Sequence, residues 1–271
     1  MIHLIGSSGF IGKAIKKAGK HRDDIIYYSS NKLLIHKEKY KFFNITDEST
    51  WKNIEINNHD KLIFLSWRNL PNYDKSFHIN ENLIESIKFF SYVLQRGISK
   101  IIVAGTCYEY GIQNGMLSEE ADTYPVNSYS IAKDCLRKAS QSLCNSFGKD
   151  LAWLRIFYPY GEGQNPKSLI PSLETAIKNK SKFFDTSQGD QIRDFIKVEN
   201  VAKIFLKITD SSYGHGVFNV GSGEPISIRD FLEDFIEKKG SKIKLNRGAY
   251  PYRTDEPLAF WADTSKISSL K

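Results

Sequence analysis

The chain is predicted to fold as an α/β protein around a parallel sheet, and three observations predict it. Short apolar runs alternate with segments of helical periodicity along the 271 residues, the pattern of repeated strand–helix–strand units. The first run, residues 2–5, leads into Gly6-Ser7-Ser8-Gly9-Phe10-Ile11-Gly12 and then a helical segment carrying Ala14, Ile15 and Ala18. With 41% hydrophobic and 25% charged residues, the composition is that of an ordinary globular protein, long enough for one large domain or a domain with a smaller lobe.

In the first unit the glycines permit a tight turn and the close approach of a pyrophosphate to the backbone, while the helix N-terminus stabilises phosphate charge. Gly6, Ser8, Gly9, Phe10, Ile11 and Gly12 are therefore candidate dinucleotide contacts, against the plain alternative of a structural loop. The second strand, residues 24–28, is followed by Ser29-Ser30-Asn31-Lys32, where an acidic residue usually binds the adenosine ribose. A carboxylate there would repel the 2′-phosphate of NADP by about 4 kcal/mol per charge pair at about 4 Å and an effective dielectric of about 20. Hydroxyls and a lysine would bind it. The segment is read as favouring NADP over NAD; the alternative is that Lys32 is one more solvated lysine. A strand at 40–43 ends in Asn44-Ile45-Thr46-Asp47, which contacts adenine, caps a helix near residues 50–56, or does both. Next come a strand at 61–65, the loop Ser66-Trp67-Arg68-Asn69, a helix with Leu83, Ile87, Phe90 and Leu94 in register, and a strand at 100–104.

Parallel sheets bind ligands outside the carboxyl ends of their strands. The strand at 100–104 ends in Gly105-Thr106-Cys107-Tyr108-Glu109-Tyr110-Gly111, and the next helix opens with Tyr129-Ser130-Ile131-Ala132-Lys133. The four-residue spacing places a phenol and an ammonium one turn apart on one helix face. A phenol of ordinary pKa about 10 beside a cation that favours its anion can exchange protons near neutrality. Singly these signals are weak, since Tyr-x-x-x-Lys arises by chance and threonines often end strands; their agreement in order and position points to chemistry. A strand at 151–157 then runs into Tyr158-Pro159-Tyr160-Gly161. After a helix with Leu169, Leu173 and Ile177, Arg193 is read either as a bidentate contact to a substrate phosphate or as an ion pair with Asp194 or Glu199. A strand at 216–220, a helix at 226–236 and a tail with Tyr252-Arg253-Thr254-Asp255-Glu256 complete the chain.

Cys107, Cys135 and Cys144 have neither metal-ligand spacing nor an even count, and the six histidines show no HxxxH or HExxH pattern, so free thiols and no metal are expected. The start carries no leader-like pattern and no apolar stretch reaches a membrane-spanning length, which predicts a cytoplasmic protein. The net charge of +7 comes from scattered lysines and suits a small polyanion as well as a nucleic acid.

On GSSGFIG at 6–12, the helix with Asn82, GTCYEYG at 105–111, YSIAK at 129–133, RIFYPYG at 155–161, RDFIKV at 193–198, FNVGSG at 218–223 and YRTDE with ADTSK near the end, the chain resembles the extended short-chain dehydrogenase/reductases of the NAD-dependent epimerase/dehydratase family. The resemblance covers nearly its whole length. It implies a Rossmann-type doubly wound parallel sheet in residues 1–163, with 194–220 returning to it, and a smaller C-terminal substrate-binding lobe of 164–193 and 221–271. Thr106, Tyr129 and Lys133 become the catalytic set. Leu65, Ser66, Trp67 and Phe157 join the glycine loop, Ser29 to Lys32, Asn44, Ile45, Tyr129 and Lys133 as cofactor contacts, and Thr106, Tyr108, Tyr158, Arg193 and Arg253 face the substrate. The implied partners are a nucleoside-diphosphate sugar and a second copy of the chain, docked through helices at about 80–96 and 129–147, with no nucleic acid or membrane. In the implied mechanism Tyr129 protonates a sugar ketone as nicotinamide gives hydride, Lys133 lowers the tyrosine pKa and binds the nicotinamide ribose, and Thr106 hydrogen-bonds the same oxygen.

Departures from the family pattern narrow the reaction. Sugar 4,6-dehydratases carry Asp-Glu directly after the threonine, where this chain has Cys107-Tyr108. The epimerase-reductases that make GDP-fucose use a cysteine and a histidine at places here held by Tyr108 and Ser168. Many epimerases have an asparagine where Tyr158 stands. The expected activity is NADPH-dependent reduction of a nucleotide-linked 4-keto-6-deoxy sugar for a surface polysaccharide. The alternatives are a 4-epimerase with tightly bound NAD and a non-catalytic dinucleotide-sensing or RNA-binding relative. The nucleotide and sugar depend on the loops around 66–80, 158–170 and 245–256.

Overall fold

The computed structural model describes residues 1–36, 39–252 and 256–270. Its first half runs β1 (Ile2–Ile5), α1 (Phe10–Ala18), β2 (Ile25–Ser29), β3 (Tyr40–Phe42), β4 (Lys61–Phe64), α2 (Ile84–Gln95), β5 (Lys100–Thr106), β6 (Gly115–Leu117), α3 (Ser128–Ser146) and β7 (Asp150–Ile156). The second half runs β8 (Tyr158–Tyr160), α4 (Leu169–Lys178), β9 (Phe183–Asp185), β10 (Ile192–Lys197), α5 (Val198–Asp210), β11 (Gly216–Val220), β12 (Pro225–Ser227), α6 (Ile228–Lys238), β13 (Lys244–Asn246), β14 (Phe260–Ala262) and α7 (Ser265–Ser269).

Seven strands form one sheet in the order β11-β7-β5-β4-β1-β2-β3, parallel at every pairing. The order reverses between β1 and β4, which makes this the doubly wound Rossmann-type sheet expected from the sequence and puts a ligand crevice at the reversal. The strands are near-continuous apolar runs because helices cover both faces. Leu4, Ile63, Ile102 and Leu154 pack with Ile15, Val201 and Phe205 of α1 and α5. On the other face Ile5, Phe64, Val103 and Trp153 pack with Phe89, Phe90 and Leu136 of α2 and α3.

Beyond this sheet, β10 pairs parallel with β8 and antiparallel with β12. Ile170, Leu173, Phe231, Leu232 and Ile236 of α4 and α6 form a separate apolar cluster. Two short parallel pairs, β9 with β13 and β6 with β14, tie distant segments together. Among the described residues no helix is long and apolar enough to cross a membrane.

Two local expectations are corrected. The helix expected near residues 50–56 is a single 3₁₀ stretch, Glu48–Asn53. Asp47 accepts from the Ser49 amide, and the Thr50 hydroxyl donates to the carbonyls of Asn44 and Asp47, so side chains take backbone partners that an α-helix would need. The α2 helix is entered through a π-helical turn, His78–Leu83, which the apolar periodicity of the segment did not reveal.

Candidate active site

A cavity of about 640 Å³ lies at the carboxyl ends of the central strands. The glycine loop forms one wall. Gly6 has φ +83° and is the turn between β1 and α1. A Cβ on Gly12 would meet the Gly6 carbonyl oxygen and lie 2.7 Å from Ser7 Cα, so only glycine lets helix and loop pack this closely. Gly9 caps α1 without a side-chain hydrogen bond. The first-turn amides of α1 are thus left to the cavity, a cradle that fits the pyrophosphate of a dinucleotide.

Opposite the cradle, Thr106, Tyr129 and Lys133 converge on the same cavity and are nearly completely buried. Thr106 ends β5 and caps the following 3₁₀ turn: its hydroxyl accepts from the Tyr108 amide at 3.3 Å, and its own amide donates to Glu109 Oε1 at 2.9 Å. The hydroxyl keeps a proton to donate and lies within hydrogen-bond reach of the Tyr129 phenol. Asn127 caps α3 by accepting from the Ser130 amide at 2.9 Å, with Ser130 Oγ returning the contact. This reciprocal box starts the helix where Tyr129 and Lys133 share the buried face. Lys133 Nζ donates to the Ala104 carbonyl at 2.9 Å and lies 3.8 Å from the centroid of the Trp67 ring.

The electrostatics correct one expectation. Burial pushes the Tyr129 phenol well above its ordinary pKa, with the Thr106 side chain as the main opposing influence. Burial also pulls Lys133 down to about 7, partly opposed by the Glu109 carboxylate. The expected drop of the phenol towards neutrality is therefore not found, because desolvation penalises both charged forms and outweighs the neighbouring groups.

At the far end of the cavity Arg193 is 1% exposed. It stands within β10, and its ion-pair partner is neither Asp194 nor Glu199. Nη2 donates to Glu256 Oε2 at 3.0 Å and Nη1 to the carbonyls of Ile192 and Leu258. Its buried Nε has no partner among the described residues. Asp194 instead accepts from the Ser222, Gly223 and Ala262 amides, pinning the loop after β11.

The family described as "NAD dependent epimerase/dehydratase family" matches residues 2–221. The chain belongs to that family. It is similar to the dTDP-6-deoxy-L-talose 4-dehydrogenase (NAD(+)) of Aggregatibacter actinomycetemcomitans, 28% identical over 270 residues that cover 96% of this chain and 98% of the relative. The dTDP-4-dehydro-6-deoxyglucose reductase of Escherichia coli is 25% identical, with 91% of this chain and 82% of the relative covered. In three dimensions the chain is similar to the UDP-N-acetylglucosamine 4-epimerase from Methanobrevibacter ruminantium M1 in complex with UDP-N-acetylmuramic acid. That match has a TM-score of 0.87 and 24% identity and covers 100% of this chain and 91% of that one; it shows a shared fold.

For this epimerase/dehydratase-family chain, the cavity brings together Gly6, Gly9, Phe10, Ile11, Gly12, Leu65, Trp67, Thr106, Tyr108, Tyr129, Lys133, Phe157, Tyr158 and Arg193. Ser8, Ser29 to Lys32, Asn44, Ile45 and Ser66 are not among its lining residues. Ser29 is buried, and its hydroxyl donates to Ser8 Oγ at 3.2 Å, which ties the end of β2 to the glycine loop. Asn31 Oδ1 accepts from the Leu33 amide, and Lys32 is exposed. Ile45 is 6% exposed and its carbonyl accepts from Trp51 Nε1, so it packs in the core. Arg253 lies outside the described residues. Sequence reasoning missed Tyr73, whose carbonyl accepts from the Tyr129 amide at 2.9 Å, and Tyr160, Phe195 and Glu256, which line the cavity near Arg193. The residues just after Arg253 were the available signal for Glu256.

Proposed function

We propose that the chain catalyses NADPH-dependent reduction of a nucleotide-linked 4-keto-6-deoxy sugar to the 4-hydroxy sugar, in the cytoplasmic synthesis of a surface-polysaccharide sugar. One observation carries this reading: Thr106, Tyr129 and Lys133 meet in one cavity with the dinucleotide cradle, and among the described residues no second acid/base pair stands next to them. Cys107, the residue after Thr106, is buried and its thiol is pushed up by desolvation; the cavity's described carboxylate, Glu256, is bonded to Arg193. Dehydration and epimerisation at a second carbon both need a further proton acceptor; reduction at one carbon does not. Two relatives matched along most of their length are named for oxidation or reduction at the 4-position of a dTDP-linked 6-deoxy sugar.

When bound, the nicotinamide supplies the hydride. The protein's part is proton delivery. A phenol held neutral by burial is the form that gives a proton to the ketone oxygen, and the Thr106 hydroxyl donates to the same oxygen. Protonated Lys133 offsets the phenolate left behind. In this reading residues 1–163 with 194–220 hold the cofactor, and 164–193 with 221–271 hold the sugar nucleotide. Ser30, Asn31 and Lys32, on the turn that Ser29 ties to the glycine loop, receive the 2′-phosphate, the backbone at Asn44 and Ile45 flanks the adenine, and Arg193 with Arg253 meets the diphosphate. Two copies associate through α2 and α3. NAD is the alternative cofactor.

The test is a panel of dTDP-, GDP-, CDP- and UDP-linked 4-keto-6-deoxy sugars with NADPH and NADH. Stoichiometric loss of reduced cofactor is expected, with Tyr129→Phe lowering kcat/KM by about 10²–10⁴-fold in a folded protein. Dinucleotide released only on denaturation, with no net turnover, would sink the reading in favour of a 4-epimerase.

A further inference from the structure

Among the described residues Lys133 has no carboxylate hydrogen-bonded to it. The Ala104 carbonyl takes one bond, and the face of Trp67 covers the ammonium at 3.8 Å. Trp67 is itself braced. Its indole N–H donates to His78 Nδ1 at 3.1 Å, and Asn82 Nδ2 donates to the same nitrogen at 3.2 Å. His78 Nε2 is 3.0 Å from the Asn72 carbonyl, so it must carry the proton. His78 is completely buried and its ring lies within 15° of parallel to the indole. Protonating Nδ1 would set it against two donors, so the imidazole stays neutral and the brace stays set.

We propose that Trp67 is the positioning residue for Lys133: its π face, locked by His78, holds the ammonium behind Tyr129 and keeps it charged in a dry site. The ring quadrupole attracts a cation most strongly where water is excluded, and this is the attraction that opposes the neutralising pull of burial. Other groups act on the same charge. Glu109, in the turn after β5, favours it, shared with Arg155 of β7 and Arg137 of α3. The neutral Tyr129 and His78 face it from α3 and from the turn before α2, with Thr106 and Tyr73 beside the phenol. The proposal rests on the reading of Lys133 as the charge behind Tyr129, but it is measured on Lys133 itself.

The measurement is an NMR titration of ¹³Cε-labelled lysine in the full chain without added dinucleotide, with the Lys133 signal assigned through Lys133→Gln. The midpoint is expected to fall by about one unit, a tenfold change equal to about 1.36 kcal/mol, in Trp67→Leu, and by less in Trp67→Phe and His78→Leu. Ring-fluorinated tryptophan, which weakens the π face without changing its shape, should also lower the midpoint. It should do nothing in the Trp67→Phe background, where Trp51, Trp153 and Trp261 still carry the label. The alkaline limb of kcat/KM should move with the midpoint. An unchanged midpoint in Trp67→Leu or in the fluorinated protein overturns the proposal; the fluorinated protein decides if the leucine variant does not fold. A shifted midpoint with no turnover on any 4-keto sugar would leave this brace standing and remove the proposed function instead.

Discussion

Two buried arginines in this chain each meet a carboxylate, with opposite outcomes. Arg155 and Glu109 are both essentially inaccessible. Arg155 Nε donates to Glu109 Oε2 at 2.9 Å, Trp153 Nε1 donates to both carboxylate oxygens, and the Thr106 amide donates to Oε1. Arg193 is equally buried, yet it reaches Glu256 with Nη2, while Nε has no described partner and the pair lines the cavity. Desolvation is severe in the first case, and burial still raises the Glu109 pKa despite its partners. A saturated set of hydrogen bonds is what offsets that cost. The first pair is closed and holds the Thr106 turn; the second borders the cavity and leaves Arg193 Nε without a described partner.

The largest way to break this contrast is Glu109→Ala. It leaves Arg155 charged and unpaired in a dry core and strips the Thr106 amide of its acceptor, so unfolding in urea should show a loss of about 3–5 kcal/mol. A loss below about 1 kcal/mol, the size of an exposed pair, would show that the pair is not closed.

Arg193→Met should behave differently. Glu256 keeps some exposure and can be solvated once the arginine is gone, so the loss of stability should be smaller than that of about 3–5 kcal/mol expected at Glu109. Losing a charged hydrogen-bond donor should weaken binding of a nucleoside diphosphate by about 10–100-fold, the equivalent of about 1.5–3 kcal/mol, in calorimetry. Dinucleotide affinity should stay unchanged; parallel losses for both ligands would mean that Arg193 supports the cavity without receiving the phosphates.

The same contrast explains what the sequence made legible. The sheet was readable because strands buried on both faces are apolar runs, and the glycine loop, Thr106 and the Tyr129/Lys133 spacing are local features with a positional rule attached. Glu256 is far from Arg193 in sequence, and no periodicity links them, so the ion-pair alternative for the arginine named only the nearby Asp194 and Glu199. His78 is joined to Trp67 through an irregular loop, which hid the brace. The direction of the Tyr129 pKa was misjudged because burial, unlike the lysine four residues on, is not written in the spacing. The 3₁₀ turn at Glu48–Asn53 was missed because Asp47 and Thr50 compete for backbone groups.

The smallest expected effect sharpens the contrast at Lys133, whose charge Glu109 supports from the closed side. Its folded pKa of about 7 lies below the ordinary lysine value of 10.5. Below pH 7 both folded and unfolded chains carry the proton, so the folded protein bears the full cost of a buried ammonium. From pH 7 to about 10.5 the folded chain binds fewer protons than the unfolded one, and stability rises with pH. Lys133→Met abolishes this dependence. The shift sets a ceiling of about 5 kcal/mol at about 1.36 per unit, but losing the Ala104 bond and the Trp67 contact takes back much of it. A net gain on the order of 1 kcal/mol is expected near pH 6, shrinking as pH rises past 7. Paired urea unfolding curves of the two proteins from pH 6 to 9 isolate the difference from every other titrating group. A difference between the two proteins that grows with pH, or does not change with it, would mean that burial does not lower the Lys133 pKa.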